Sequence, residues 1–100
     1  MLVNPARVEA LRQEIGEDGF PEVLEMFLSE SAQVVARLQE ADDPAAISAD
    51  MHFLKGSALT MGLDDLATFC LTAEQGAALD PVALADLFER SRASLLALRF

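Results

Sequence analysis

An all-α fold, an antiparallel four-helix bundle with a short N-terminal capping helix, is the architecture this sequence predicts. Three observations carry that expectation. First, Asn4-Pro5, Asp43-Pro44 and Asp80-Pro81 repeat one device for starting a helix. The Asx side chain caps free N–H groups, and a proline at the first helical position lacks an N–H that would have no partner there. Second, apolar residues after each start recur at three- and four-residue spacing. Third, no run alternates with period two, and Asp18-Gly19, the one dipeptide with hairpin chemistry, lies between helical patterns rather than between strands.

The elements follow in order. The first helix runs from Pro5 to about Ile15, with Val8, Leu11 and Ile15 as its apolar stripe and Gly16 as its stop. The second starts near Gly19–Pro21. Its stripe is Phe20, Leu24, Phe27, Leu28, Ser31, Val34, Val35 and Leu38, interrupted once by the serine, and Glu22, Glu25, Glu30 and Glu40 occupy its other face. The third runs from Pro44 to about Met61, with Gly62 placed to end it in the left-handed conformation. The fourth carries Leu66, Phe69, Cys70, Ala73 and Ala77, and the fifth, from Pro81, carries Val82, Ala85, Phe88, Leu95 and Leu96. Brief connections between long amphipathic helices favour the bundle.

One hundred residues make one domain spanning 1–100. A hydrophobic fraction of 52% is too high for a disordered acidic tail, and a net charge of −10 argues against general binding to nucleic acid or to anionic lipid. Recognition of a phosphate group must then be local. The single cysteine, Cys70, permits no intrachain disulfide and lies on an apolar stripe, as an inert buried thiol would. No secretory signal or membrane-spanning stretch is visible, so the expected setting is the cytoplasm, whether the chain is free-standing or part of a larger protein.

The stretch Met51-His52-Phe53-Leu54-Lys55-Gly56-Ser57 holds the only histidine and the only lysine of the chain. On a helical wheel, Ile47, Met51, Leu54, Ala58 and Met61 define a core face, and His52 lies about 140° from its centre. Ala45, Ser48, Ala49 and Gly56, all small, lie within about 60° of His52, with Lys55 and Leu59 beside them. The outward face thus offers an imidazole, an ammonium, a leucine and little bulk. An exposed mid-helix glycine costs about 1 kcal/mol relative to alanine. Gly56 makes sense if a foreign loop must come close to His52. Lys55, three residues from His52, is within reach of an anionic group carried by the ring.

His52-Phe53-Leu54-Lys55-Gly56-Ser57-Ala58, followed by Leu59-Thr60-Met61-Gly62, resembles the signature of the histidine-containing phosphotransfer (HPt) domains, and it sits in the third of five helices, where that family carries it. The resemblance implies that His52 accepts a phosphoryl group from the aspartate of one receiver domain and passes it to another. It implies that Lys55 steadies the phosphoryl oxygens and that Gly56 admits the receiver's loops. Ser57 faces partly inward and suits packing. Met51 stands where the family often has alanine, at a core position where the change is harmless.

An exposed imidazole has an ordinary pKa of ~6.5 and is largely neutral near pH 7, with a lone pair free for nucleophilic attack. Phosphoryl transfer needs mostly positioning and charge neutralisation. This sequence supplies those but no P-loop, no nucleotide-binding glycine pattern and no carboxylate cluster. No intrinsic cofactor is expected; the divalent cation and acceptor aspartate belong to the partner. The expected protein is a phosphocarrier rather than an enzyme, partnered by response-regulator receiver domains and by a hybrid histidine kinase, and docked through Ala45, Ser48, Ala49, Gly56 and Leu59. The alternative is a helical interaction module that binds receivers without carrying phosphate. A metal-dependent enzyme fits poorly, because no carboxylate stands at a metal-site spacing from the one histidine.

Overall fold

The computed structural model describes residues 1–76 and 78–98. The described residues form five helices and no strand: α1 (Pro5–Ile15), α2 (Phe20–Leu38), α3 (Pro44–Met61), α4 (Asp64–Glu74) and α5 (Pro81–Leu96). Each Asx-Pro pair opens a helix as anticipated. Asn4 accepts from the N–H groups of Ala6 and Arg7, Asp43 from that of Ala45, and Asp80 from that of Ala83. The heads of α2 and α4 carry no side-chain cap. Glu22 in the first turn of α2, and Asp64 and Asp65 in that of α4, set negative charge at the positive end of the helix dipole instead.

Packing follows from the buried stripes. α3 lies against α4 and α2, α5 closes on both α2 and α4, and α1 rests on α3 and α2. The core takes Val8 and Leu11 from α1, Phe20, Leu28, Val34, Val35 and Leu38 from α2, and Met51, Leu54, Ala58 and Met61 from α3. Leu63 of the α3–α4 connection, Leu66, Ala67 and Cys70 of α4, and Leu84, Phe88 and Leu95 of α5 complete it. Ile47, Phe27 and Phe69 are half-buried against this core rather than inside it. Complete burial of Leu54 sets its worth: truncation to alanine would cost about 2–5 kcal/mol.

Two residues of the predicted α5 stripe are corrected. Val82 is 76% exposed and Leu96 is 51% exposed. The buried line of α5 is Leu84, Phe88, Ser91 and Leu95, at spacings of four, three and four. Val82 stands about 200° and Leu96 about 100° around the helix from members of that line. Ser91, a polar residue in the core line, hides it from a reading of apolar periodicity. Ser91 and Ser31 are both fully buried, and neither hydroxyl has a hydrogen-bond partner. Ala77, placed on the fourth helix by its sequence, lies outside the described residues.

The C-terminal end of α3 is held from outside. Gly62 has a φ of 75°, and the Leu63 N–H donates to Ala58 O at 2.8 Å. The Asn4 N–H donates to Gly62 O at 2.7 Å, and Arg7 Nε donates to Thr60 O at 3.2 Å. A Cβ at position 62 would stand 3.0 Å from Asn4 O and 3.1 Å from Arg7 Cβ. Glycine is therefore required there both by its backbone conformation and by the approach of the N-terminal segment. These contacts, with the Asp65 N–H donating to Met1 O, brace the corner from which α3 and α4 diverge.

Candidate functional site

Along α3, the side chains at positions 51, 54 and 58 point into the core, so the residues between them point out. His52 is one of these, with its side chain 71% exposed. One turn further, a Cβ built on Gly56 would meet nothing within 4 Å. Ala45, Ser48, Ala49 and Leu59 are all exposed, as the helical wheel places them. Ser57 is buried, in line with a packing role.

Lys55 is engaged by a second helix. Its side chain is 22% exposed, and Nζ donates to Glu74 Oε2 at 2.6 Å. The other oxygen of that carboxylate, Oε1, lies 2.8 Å from His52 Nδ1. One carboxylate thus bridges the only histidine and the only lysine of the chain. The sequence on its own brings carboxylates in only as metal ligands and does not place Glu74 here. Glu74 comes from the last turn of α4. The connection between α3 and α4 is only Gly62-Leu63, so the chain doubles back and residues equidistant from the turn meet; His52 and Glu74 lie symmetrically about Leu63. That symmetry is the signal by which Glu74 could have been found.

The electrostatics fix the roles of the ring nitrogens. The hydrogen bond from Lys55, and after it the one from His52, holds the Glu74 carboxyl below the usual carboxylate range. An ionised carboxylate only accepts hydrogen bonds, so Nδ1 must donate. In the neutral ring the lone pair then lies on Nε2, the nitrogen that Glu74 leaves free. One turn before Glu74, burial first and the charge of Glu74 second push the Cys70 thiol up to about 12. Cys70 stays a neutral thiol and takes no part as a nucleophile.

Around this centre the surface is partly apolar. Phe27 of α2 joins His52, Phe53, Gly56, Ser57 and Thr60 around a shallow depression. Phe53 is exposed beside His52, and neither aromatic ring was assigned to the outward face from the sequence. On the other flank, Lys55, Leu59, Asp64, Ala67, Thr68 and Leu71 line a groove between α3 and α4. Arg37 ties α2 to α3 through paired hydrogen bonds to Asp50 at 2.7 and 2.9 Å, which hold the Asp50 carboxyl low. Among the described residues no three His, Cys, Asp or Glu side chains cluster as metal ligands would, and no helix is long and apolar enough to cross a membrane.

The outward face of α3 thus presents an exposed imidazole held at Nδ1 only, one ammonium beside it and open space over a glycine. The model of the Hpt domain matches residues 22–99. The chain belongs to the Hpt domain family. It is 34% identical over 106 residues to the phosphorelay protein LuxU of Vibrio vulnificus, strains YJ016 and CMCP6, an alignment covering 95% of this chain and 92% of each relative. No solved structure matches it. Membership makes the chain a phosphorelay intermediate of two-component signalling, a phosphocarrier rather than an enzyme, whose partners are receiver domains. The family match begins at Glu22, so α1 and the brace it gives to the α3–α4 corner lie outside it.

Proposed function

We propose that His52 is the phosphoacceptor of this relay and that Nε2 is its reacting atom. The observation that carries the proposal is the Glu74 contact at Nδ1, which leaves the Nε2 lone pair on the exposed side of the ring. A receiver's phosphoaspartate presents phosphorus to Nε2. The lone pair forms the N–P bond as the P–O bond to the aspartate breaks. Lys55 neutralises charge on the phosphoryl oxygens, and Gly56 leaves room for the receiver's loops. The partner supplies the divalent cation and the aspartate, so the site is completed only in the complex, and this chain needs no cofactor of its own. The reverse geometry passes the group to a second receiver.

Docking uses Ala45, Ser48, Ala49, Gly56 and Leu59, joined by the exposed ring of Phe53. A hybrid histidine kinase feeds the relay, the setting is cytoplasmic, and neither nucleic acid nor membrane takes part, consistent with the net charge of −10. In this reading residues 1–100 act as a single domain, and α2–α5 form an antiparallel four-helix bundle capped by α1. The closed ring of contacts α2–α3–α4–α5–α2 supports that arrangement.

The test is transfer from a labelled, phosphorylated receiver. The expected product is an acid-labile, base-stable phosphate on this chain, absent from a folded His52→Gln variant. Label that survives the substitution would sink the assignment. The exposed apolar residues Phe53 and Leu59 also suit a module that binds receivers without phosphate. Signalling output that persists in His52→Ala would favour that second reading.

A further inference from the structure

We propose that the groove between α2 and α5, across the bundle from His52, receives an amphipathic helix of a second protein, its apolar face in the groove and its basic residues over the edge of α2. The proposal concerns a surface apart from the transfer site and does not depend on which residue carries phosphate.

The groove is built from the helical repeat of its two walls. Pro21, Leu24, Leu28 and Ala32 form one wall, at spacings of three, four and four along α2, and Phe88 and Leu96 of α5 form the other. They surround a volume of about 470 Å³. Leu28 and Phe88 are buried at its floor, whereas Leu96 stands at its edge with half its surface in solvent. The α2 wall runs about three turns of helix, or ~16 Å, which a partner helix of about twelve residues would span. Other peptide shapes fit less well. Among the described residues there is no strand, so an extended peptide finds no sheet edge to extend. Proline-rich segments dock on aromatic grooves, and Phe88 is the only aromatic ring lining this one among the described residues. A row of aliphatic side chains at helical spacing suits the apolar stripe of a helix.

Charge decides which kind of helix. On α5 the basic residues are already engaged: Arg90 pairs with Asp86 at 2.9 Å, and Arg92 with Glu89 at 3.6 Å. On α2, Glu22 and Glu25 are exposed one turn apart beside Pro21 and Leu24, and neither meets a cation among the described residues. Uncompensated negative charge therefore lies along one edge of the groove. Lysine or arginine on one flank of an entering helix would complement it, and the net charge of −10 would steer such a partner inward. A second copy of this chain would bring its own Glu22 and Glu25 against the first pair, like charge on like. Anionic lipid would meet the same repulsion.

The position of the groove gives the contact its use. Helix contacts run from α2 to α3, α4 and α5 and back to α2, so the α2–α5 seam lies opposite the α3–α4 seam, where Glu74 meets His52. A helix seated in the groove leaves the histidine open. Held from behind in this way, the phosphocarrier would stay near its receivers at a raised effective concentration without competition for His52.

The probe is a synthetic peptide of about fourteen residues, cross-linked to hold its helix, with leucines in one stripe and lysines along one flank. A second peptide carries glutamate in place of lysine. Binding to the full chain is measured by fluorescence anisotropy and mapped by amide chemical shifts. The lysine peptide should bind and shift Leu24, Leu28, Ala32, Phe88 and Leu96, leaving His52 unmoved. The glutamate peptide should bind at least tenfold more weakly. The double variant Glu22→Lys, Glu25→Lys should weaken the lysine peptide about tenfold. Ala32→Trp, which fills the groove from an exposed position, should weaken it at least as much with an unchanged circular dichroism spectrum. Labelling by a phosphorylated receiver should be equally fast with and without saturating peptide. A lysine peptide that fails to bind, that shifts α3 and α4 instead, or that binds the double variant as tightly as wild type overturns the proposal. Concentration-dependent shifts of the groove residues without peptide, with a dimer in sedimentation, would assign the groove to a second copy and overturn it too. If the chain takes no label, the reading of His52 fails, while the peptide measurements, which need no phosphate, still decide the role of the groove.

Discussion

Gly56 offers a perturbation whose effects on stability and transfer should have opposite signs. It lies in the interior of α3, and a Cβ there would meet nothing within 4 Å. Gly56→Ala therefore loses no packing and relieves the helix of its least favourable ordinary residue, a gain of about 1 kcal/mol. For a domain of this size that raises the melting temperature by about 4–8 °C. Gly56→Leu should stabilise almost as much, since leucine is also a good helix former. Both side chains project one turn from His52 on the same face, with Cβ atoms ~5–6 Å apart. A partner kept about 1 Å from its productive position loses about a hundredfold in rate. The leucine variant should thus melt higher and accept phosphate about a hundredfold more slowly, with alanine between it and wild type. Melting by circular dichroism and labelling by a phosphorylated receiver at short times measure the two effects. Wild-type transfer by Gly56→Leu would refute the partner-access argument, and a fall in its stability would refute the open geometry from which the gain is worked.

Other perturbations test the scaffold. Ser31→Ala and Ser91→Ala each remove a buried hydroxyl that has no partner, so each should stabilise by about 1 kcal/mol in urea titrations; destabilisation would show that the hydroxyl is bonded. Gly62→Ala forces a side chain into the left-handed region at 3.0 Å from Asn4 O and should cost about 2 kcal/mol or more, read from the same titrations. The depressed pKa of Glu74, held down by Lys55 and then His52, and that of Asp50, held down by Arg37, contribute stability that is fully present above their ordinary values of 4.5 and 3.8. That contribution is lost as pH falls through the lower native values. Melting curves from pH 7 to pH 3 should fall along this limb, and should flatten in the double variant Glu74→Gln, Asp50→Asn.

What the sequence revealed divides by range. The three Asx-Pro starts and the glycine at the end of α3 were legible because capping is decided within three or four residues. The outward aim of His52 was legible because helical periodicity fixes direction relative to Met51, Leu54 and Ala58. Glu74 was not, because its meeting with His52 and Lys55 depends on how α4 is laid along α3, 22 residues away in sequence. The same distance hid the true state of Lys55, which reads as a free cation beside His52 and is engaged across the helix pair. Val82 and Leu96 were misassigned for the converse reason: an apolar side chain predicts burial only where another element covers it. Phe53 lies about 120° from the centre of the core face, so its exposure follows from the same periodicity that turns His52 outward.

Lys55 is the only lysine in the chain, and its Nζ is fastened to Glu74. Chemistry directed at lysine side chains therefore lands beside His52, at the transfer site proposed above. An acetyl group on Nζ would erase the charge that the proposed function assigns to the phosphoryl group and release Glu74 from one of its two partners in a single event. For the same reason, an acylating dye or cross-linker used to tag lysine would inactivate what it is meant to report. An isotope on Nζ itself would leave the side chain unmodified and turn the sole lysine into a background-free sensor of its occupancy.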